Sequence, residues 1–234
     1  MTFDSALFDP KQVWVYDLKV LDNCACALWA EKVLALRAHW THRHTSMPFY
    51  TLGMAAYLDA VASSSRDGGK PLYYSPILRR HHNQQLQDHF GDLLSLACLS
   101  IGEWTQKRGF CDPLGSALPG FHIHLAHPVF TQPVASKHRD LQFQLVFPDR
   151  LVTSAQVLTF TLPLSLPEGS GLNLWPAHHE NDPAKFHLYK LGHMTLHSGL
   201  MTHQAVLFPR EHHPPRIMLQ GHALIEGDNI LLYW

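Results

Sequence analysis

Charge is scarce in this chain, and what there is nearly cancels. Of 234 residues 16% are charged, with 18 Lys and Arg against 19 Asp and Glu and a formal net charge of −1. Nucleic acid or an anionic membrane as partner demands a basic excess or patch, so neither is expected. Blocks of like charge are missing, which excludes charged interaction tails. No apolar run approaches the roughly 20 residues of a membrane span. The N-terminus, MTFDSALFDPKQ, carries acids where a signal peptide needs lysine or arginine before an apolar stretch. Cysteine is sparse: Cys24, Cys26, Cys98 and Cys111 include no paired CxxC, so a zinc knuckle is excluded and core or idle thiols are the better reading. A reducing cytoplasm is the expected location. The length fits one domain, 1–234, that buries enough apolar surface to need no staple.

Histidine runs the other way. Nineteen of them is about three to four times ordinary usage in soluble proteins. Many must be bland surface or core residues, and the question is which few converge.

The chain changes character near Pro119. Before it, residues 1–118 read as a helical buttress. Helical composition or spacing runs from Asn23 to Trp40, Thr51 to Ser63 and Pro76 to Trp104, the last carrying Leu86, Phe90, Leu93 and Leu94 on one face and starting at Ser75-Pro76. After it, residues 119–234 shorten into runs of β-formers. The strands expected are Phe121–Ala126, Leu141–Phe147, Val157–Leu166, Leu172–Trp175, Phe186–Lys190, Met194–His197, Gln204–Phe208, Arg216–Ile225 and Ile230–Trp234, with a tight turn at Gly227-Asp228-Asn229. Short antiparallel strands after a helical half predict an α+β fold: a jelly-roll core braced by N-terminal helices.

Three features of the β half fit one chemistry. His138-Arg139-Asp140 precedes an expected strand, and alternation puts His138 and Asp140 on one side with Arg139 opposite. An imidazole and a carboxylate so spaced can take two corners of an octahedral cation. A second histidine on a later strand completes the two-histidine, one-carboxylate facial set, which leaves three positions open. His203 is the candidate, because it lies 13 positions before Arg216, a distance that suits neighbouring strands; His197 competes. Arg216 opens RIMLQGHALI, where a planar guanidinium can hold a carboxylate bidentately.

HRD followed by a distant His and then an Arg on the penultimate strand resembles the iron(II)/2-oxoglutarate-dependent dioxygenases, from about Pro119 to Trp234. The resemblance implies a double-stranded β-helix, iron held by His138, Asp140 and His203, and 2-oxoglutarate held through its distal carboxylate by Arg216. It implies oxidation of an unactivated C–H of a small molecule by molecular oxygen, with release of succinate and CO2. Halogenases of that superfamily lack the carboxylate ligand, so Asp140 favours hydroxylation. Many members place Ser or Thr two residues after the arginine. Here that position is Met218, and Gln142, Gln144, Thr161 and Tyr189 are open candidates for the carboxylate's second partner.

Other readings fit less well. His122 and His124 form an HxH pair on one strand face, but no glutamate follows in cupin range; they line a pocket or pack as core. Tyr50, Asn173 and Trp175 are further pocket candidates, whereas His222 reads as a plain strand residue. A protein kinase would need Asn where Leu145 stands, and a DFG triplet, which is missing. A zinc-dependent hydrolase or a non-catalytic barrel would suit the same ligands but would not need Arg216. Oligomeric state is open.

Overall fold

The computed structural model describes residues 14–61, 70–130, 135–153, 156–176, 179–206 and 212–234. Its longest strand, β11 (Arg216–Glu226), is buried along most of its length because it runs through the middle of a sheet. It pairs antiparallel with β5 (Gly120–His124) and β6 (Val157–Ser165), then doubles back into β12 (Asn229–Tyr233). That reversal needs only two residues because Gly227, at φ 58°, takes the left-handed backbone a tight hairpin demands. Beyond them lie β9 (His193–Ser198) and β1 (Val15–Lys19) on one side, and β3 (Phe49–Leu52) and β2 (Thr41–His42) on the other. With β4 (Arg108–Cys111) beside β12, nine strands are joined. A second antiparallel sheet of three strands follows the order β10 (Thr202–Val206), β7 (Gly171–Trp175), β8 (Lys185–Leu188). The result is the jelly-roll-like sandwich expected, with helices bracing the larger sheet.

Alternation along the strands decides what each face does. On β5, Phe121 and Ile123 join the apolar core with the helices, while His122 and His124 face the opposite way. The helices are α1 (Asn23–Ala35) and α3 (Pro76–Thr105). Asp22 caps α1 by accepting the Ala25 N–H at 2.8 Å, and Ser75 caps α3 with Pro76 at its first position. Leu86, Phe90, Leu93, Leu94, Ala97 and Ile101 of α3 recur at helical spacing and are buried. Phe90 packs on Phe121 with ring centroids 4.5 Å apart, which fastens α3 to the outer face of the sheet. Among the described residues no helix is long and apolar enough to cross a membrane.

Several expected elements differ. Leu141–Phe147 is not a strand: Phe143–Val146 forms the short helix α4, and Phe143 and Phe147, one helical turn apart, both pack in a small cluster with Leu224, Leu231 and Tyr233. LQFQLVF satisfies either period, and burial of the two phenylalanines favours the helical one. Thr51 to Ser63 is not one helix. Thr51 and Leu52 end β3, paired with His122 and Phe121, and only Ala56–Asp59 is helical (α2); residues 62–63 lie outside the described part. The helix from Asn23 stops at Ala35 and gives way to a 3-10 turn before Trp40. The strand expected at Gln204–Phe208 starts two residues earlier, at Thr202, and residues 207–208 lie outside the described part. Residues before Pro119 also contribute β1, β2, β3 and β4 to the large sheet, so that half is not helical alone.

Candidate active site

The segment carrying His138 and Asp140 is extended and lies beside β10. His138 and His203 form an isolated antiparallel bridge, exchanging N–H···O bonds of 3.0 and 2.9 Å. Residues paired in this way project from the same face, and the two rings lie 4.3 Å apart. The Asp140 N–H donates to the Gly199 carbonyl at 2.6 Å. Glycine is required there by close approach: a Cβ at 199 would stand 2.8 Å from Thr159 Oγ1 and 3.1 Å from Asp140 Cβ.

Backbone carbonyls orient both rings. His138 Nδ1 lies 2.8 Å from the Ser136 carbonyl and His203 Nδ1 2.9 Å from that of Met201. A carbonyl only accepts, so each Nδ1 carries a hydrogen and each Nε2 is the ring nitrogen left to face the cluster. Those Nε2 atoms stand 3.9 and 3.4 Å from the two Asp140 carboxylate oxygens. One ligand atom from each of the three residues lies within 4.8 Å of the others. His197 was the competing histidine. Its ring is 4.7 Å from that of His203, its Nδ1 is bonded to the Ser198 carbonyl, and it stands outside the three-residue cluster.

Asp140 is held from both sides. Thr159 Oγ1 donates to Oδ2 at 2.5 Å, and Gln142 Nε2 donates to Oδ1 at 3.2 Å. With its one proton committed to the carboxylate, Thr159 must accept in its 3.1 Å contact with His222 Nδ1. The order His222 to Thr159 to Asp140 is thereby fixed. Burial alone would raise the Asp140 carboxyl, but the surrounding His203, His222, His138 and His197 rings reverse this and hold it well below the carboxylate range. Burial pushes His203 and His222 down, and His197 down to about 3, against the opposing pull of the Asp140 carboxylate.

Arg216 lies in the same cavity, 2% exposed. Burial lowers its pKa, opposed by the neighbouring Tyr189 phenol, whose ring centroid lies 5.7 Å from the guanidinium carbon. Its Nε is buried with no partner among the described residues, as are His124 Nδ1 and Gln142 Oε1. Thr159 at the metal-ligand cluster and Thr161 at the arginine cluster share one face of β6, roughly 7 Å apart by strand rise.

The cavity enclosing these groups measures about 380 Å³. His122 and His124 line it, and so do Gln142, Thr161 and Tyr189. His222, read from sequence as a plain strand residue, lines it too. Tyr50, Asn173 and Trp175 do not: Tyr50 stacks on His42, Asn173 bonds Gln204, and the Trp175 indole bonds the Asp182 carbonyl. Gln144 is exposed on α4. The sequence reading missed Thr159, Arg43, Phe49 and Tyr57. Only Thr159 had a signal, the polar alternation in VLTFTLPL that placed Thr159 and Thr161 on one face.

Comparison with known proteins bears on the fold. No family model and no curated protein sequence matches the chain. Among solved structures it is similar to an N-substituted L-amino acid dioxygenase from Burkholderia ambifaria AMMD, 10% identical over 98% of this chain and 90% of that one, with a TM-score of 0.61. The same enzyme in complex with alpha-ketoglutarate matches at 10% identity, the same coverage and a TM-score of 0.59. A Pseudomonas putida prolyl-4-hydroxylase matches at 14% identity over 95% of this chain and 99% of that one, with a TM-score of 0.47. The chain therefore shares the jelly-roll-like fold of the N-substituted L-amino acid dioxygenase.

Proposed function

We propose that the chain is an iron(II), 2-oxoglutarate-dependent oxygenase that oxidises a C–H bond of a small molecule, with release of succinate and CO2. The observation that carries this is the shared cavity: His138, Asp140 and His203 converge on one point, and a buried guanidinium with an unpartnered Nε faces the same space. The donor set fits the proposed groups. Two imidazoles and a carboxylate suit a divalent first-row cation with positions left open. A buried arginine with no carboxylate partner among the described residues suits the distal carboxylate of a dicarboxylic acid.

Bound iron(II) would supply the activation of dioxygen, coupled to oxidative decarboxylation of the 2-oxo acid. The chain's own residues do the rest. The Ser136 and Met201 carbonyls fix which ring nitrogens point inward, and Thr159 and Gln142 fix the Asp140 carboxylate. Arg216 with Tyr189 and Thr161 would position the cosubstrate's far end. Tyr189, Thr161 and Gln142 line the cavity with Arg216 and are the candidates for the second carboxylate partner. The sheets and the aromatic wall keep bulk water from the reacting carbon.

Anaerobic titration with iron(II) and 2-oxoglutarate tests the reading. Wild-type protein should develop a weak visible charge-transfer band and, in air, release succinate. His138→Ala and Asp140→Ala should lose both. Undiminished turnover in either variant would refute the ligand assignment, and metal-dependent ester cleavage without a band would instead favour the zinc hydrolase.

A further inference from the structure

One wall of the cavity is built by Met47, Phe49, Tyr57 and Leu58, which precede α3, together with His122, His124 and Phe130, and its chemistry differs from that of the His138–Asp140–His203 cluster. Phe49 lies parallel on His124, with centroids 4.5 Å apart and planes 7° apart. Phe130 meets His124 edge-on at 5.9 Å. His122 is edge-on to both Phe49 and Tyr57, at 5.3 and 5.7 Å. Met47 and Leu58 complete this lining. With Phe49 and His124 already stacked on each other, these rings offer the cavity an apolar, polarisable surface of ring edges and outer faces.

Two polar features interrupt it. The Tyr57 hydroxyl is 2.8 Å from His122 Nε2, and in either tautomer of that imidazole the phenol keeps an open hydrogen-bonding position toward the cavity. His124, 7% exposed, has an Nδ1 with no partner.

Charge is conspicuously matched. The cation on this wall, Arg43, gives its two terminal nitrogens to Asp59 at 2.6 and 2.8 Å and its Nε to Thr51 at 2.7 Å. Asp59 is 3% exposed. The other charged side chains among the described lining residues, Asp140 and Arg216, are opposite in sign. His44 stands exposed at the mouth. A divalent cation and a dicarboxylate dianion add no net charge. A charged substrate would therefore enter a low-dielectric space with nothing left to compensate it.

Resting on the oxygenase reading, we propose that this wall selects an uncharged substrate, an aromatic molecule bearing a hydroxyl group, lying against the Phe49, His124 and Phe130 rings with its hydroxyl on Tyr57. Carboxylates of the same shape are rejected because Arg43 is already paired with Asp59, and amines because Asp59 and Asp140 are likewise engaged.

Three isosteric probes test this: 2-phenylethanol, phenylacetate and 2-phenylethylammonium, titrated anaerobically into protein loaded with iron(II) and 2-oxoglutarate. The readout is the apparent Kd for perturbing the charge-transfer band, with stimulation of succinate release in air as a second measure. The alcohol should bind at least about tenfold more tightly than either ion. Tyr57→Phe should erase its advantage over ethylbenzene while leaving the band itself unchanged. Asp59→Asn, by freeing the Arg43 charge, should move preference toward phenylacetate by about tenfold or more; the wild-type series decides the matter should that variant not fold. Failure of the band to form in wild-type protein overturns the oxygenase reading. A normal band with either ion binding more tightly than the alcohol, or one that no probe perturbs at millimolar concentration, overturns the substrate inference alone.

Discussion

At the scale of single residues, Thr159 and Arg216 divide the work of the site. Thr159 donates to the carboxylate that would hold the cation and accepts from His222. Thr159→Val keeps the shape and removes both bonds. Iron(II) affinity measured by anaerobic titration should fall about 10–100-fold, the range for loss of a hydrogen bond behind a ligand. Thr159→Ser should restore it, and unchanged affinity in the Val variant would remove Thr159 from the account. Arg216→Lys loses the planar fork. It should weaken 2-oxoglutarate binding by about tenfold or more with iron(II) affinity unaffected; equal loss of both would indicate a folding defect instead. That His138 and Asp140 share a side was legible in sequence, because alternation along an extended chain puts i and i+2 together, whereas His203 and Arg216 were chosen by chain order and spacing. The support behind them was not. Which hydroxyl reaches Asp140 depends on how β6 registers against the HRD segment, and no local pattern encodes that pairing. His222 was misjudged for the same reason: its inward face is set by its register opposite Thr159.

At the scale of elements, α3 was readable almost end to end, from its Ser-Pro start to one residue past the expected finish at Trp104. Its stripe of Leu and Phe has a single period and its cap is chemical. Its far end is less well optimised. Gln106 adopts φ 55°, a left-handed conformation, and its side chain is exposed. Gln106→Gly should raise stability by about 1 kcal/mol, the usual cost of that conformation for a residue with a Cβ. Urea unfolding checks this, and a lowered midpoint would mean that the Gln106 side chain makes a contact worth more than the strain. β3 and α4 were misread because short apolar runs fit either period, and tertiary partners chose: β5 drew Thr51 and Leu52 into the sheet, and Tyr233 with Leu224 drew Phe143 and Phe147 into a helical turn.

At the scale of the whole molecule, the buried histidines tie stability to acidity. His122 is pushed down to about 3 by burial first and by the nearby Arg216 charge second, and His124 shifts the same way for the same causes. Their folded pKa values lie below the unfolded value near 6.5. Below about pH 6.5 the unfolded chain therefore binds protons that the folded one does not, so stability is full above that pH and falls as pH drops toward 3. Each such histidine adds a slope of at most about 1.4 kcal/mol per pH unit. Thermal melts from pH 7 to 4 should show this acid limb, and His122→Asn should flatten it by about one proton's worth. A midpoint independent of pH across that range would show that these rings accept protons in place.

The ligand cluster is also lopsided. Asp140 and His203 are sealed in, with side chains 3% and 5% exposed, whereas His138 is 42% exposed. A cation could enter or leave along that flank without parting the sheets. Exchange would then be timed by how often one imidazole swings away from the Ser136 carbonyl, and a chelator in solution would encounter a hinge of a single side chain.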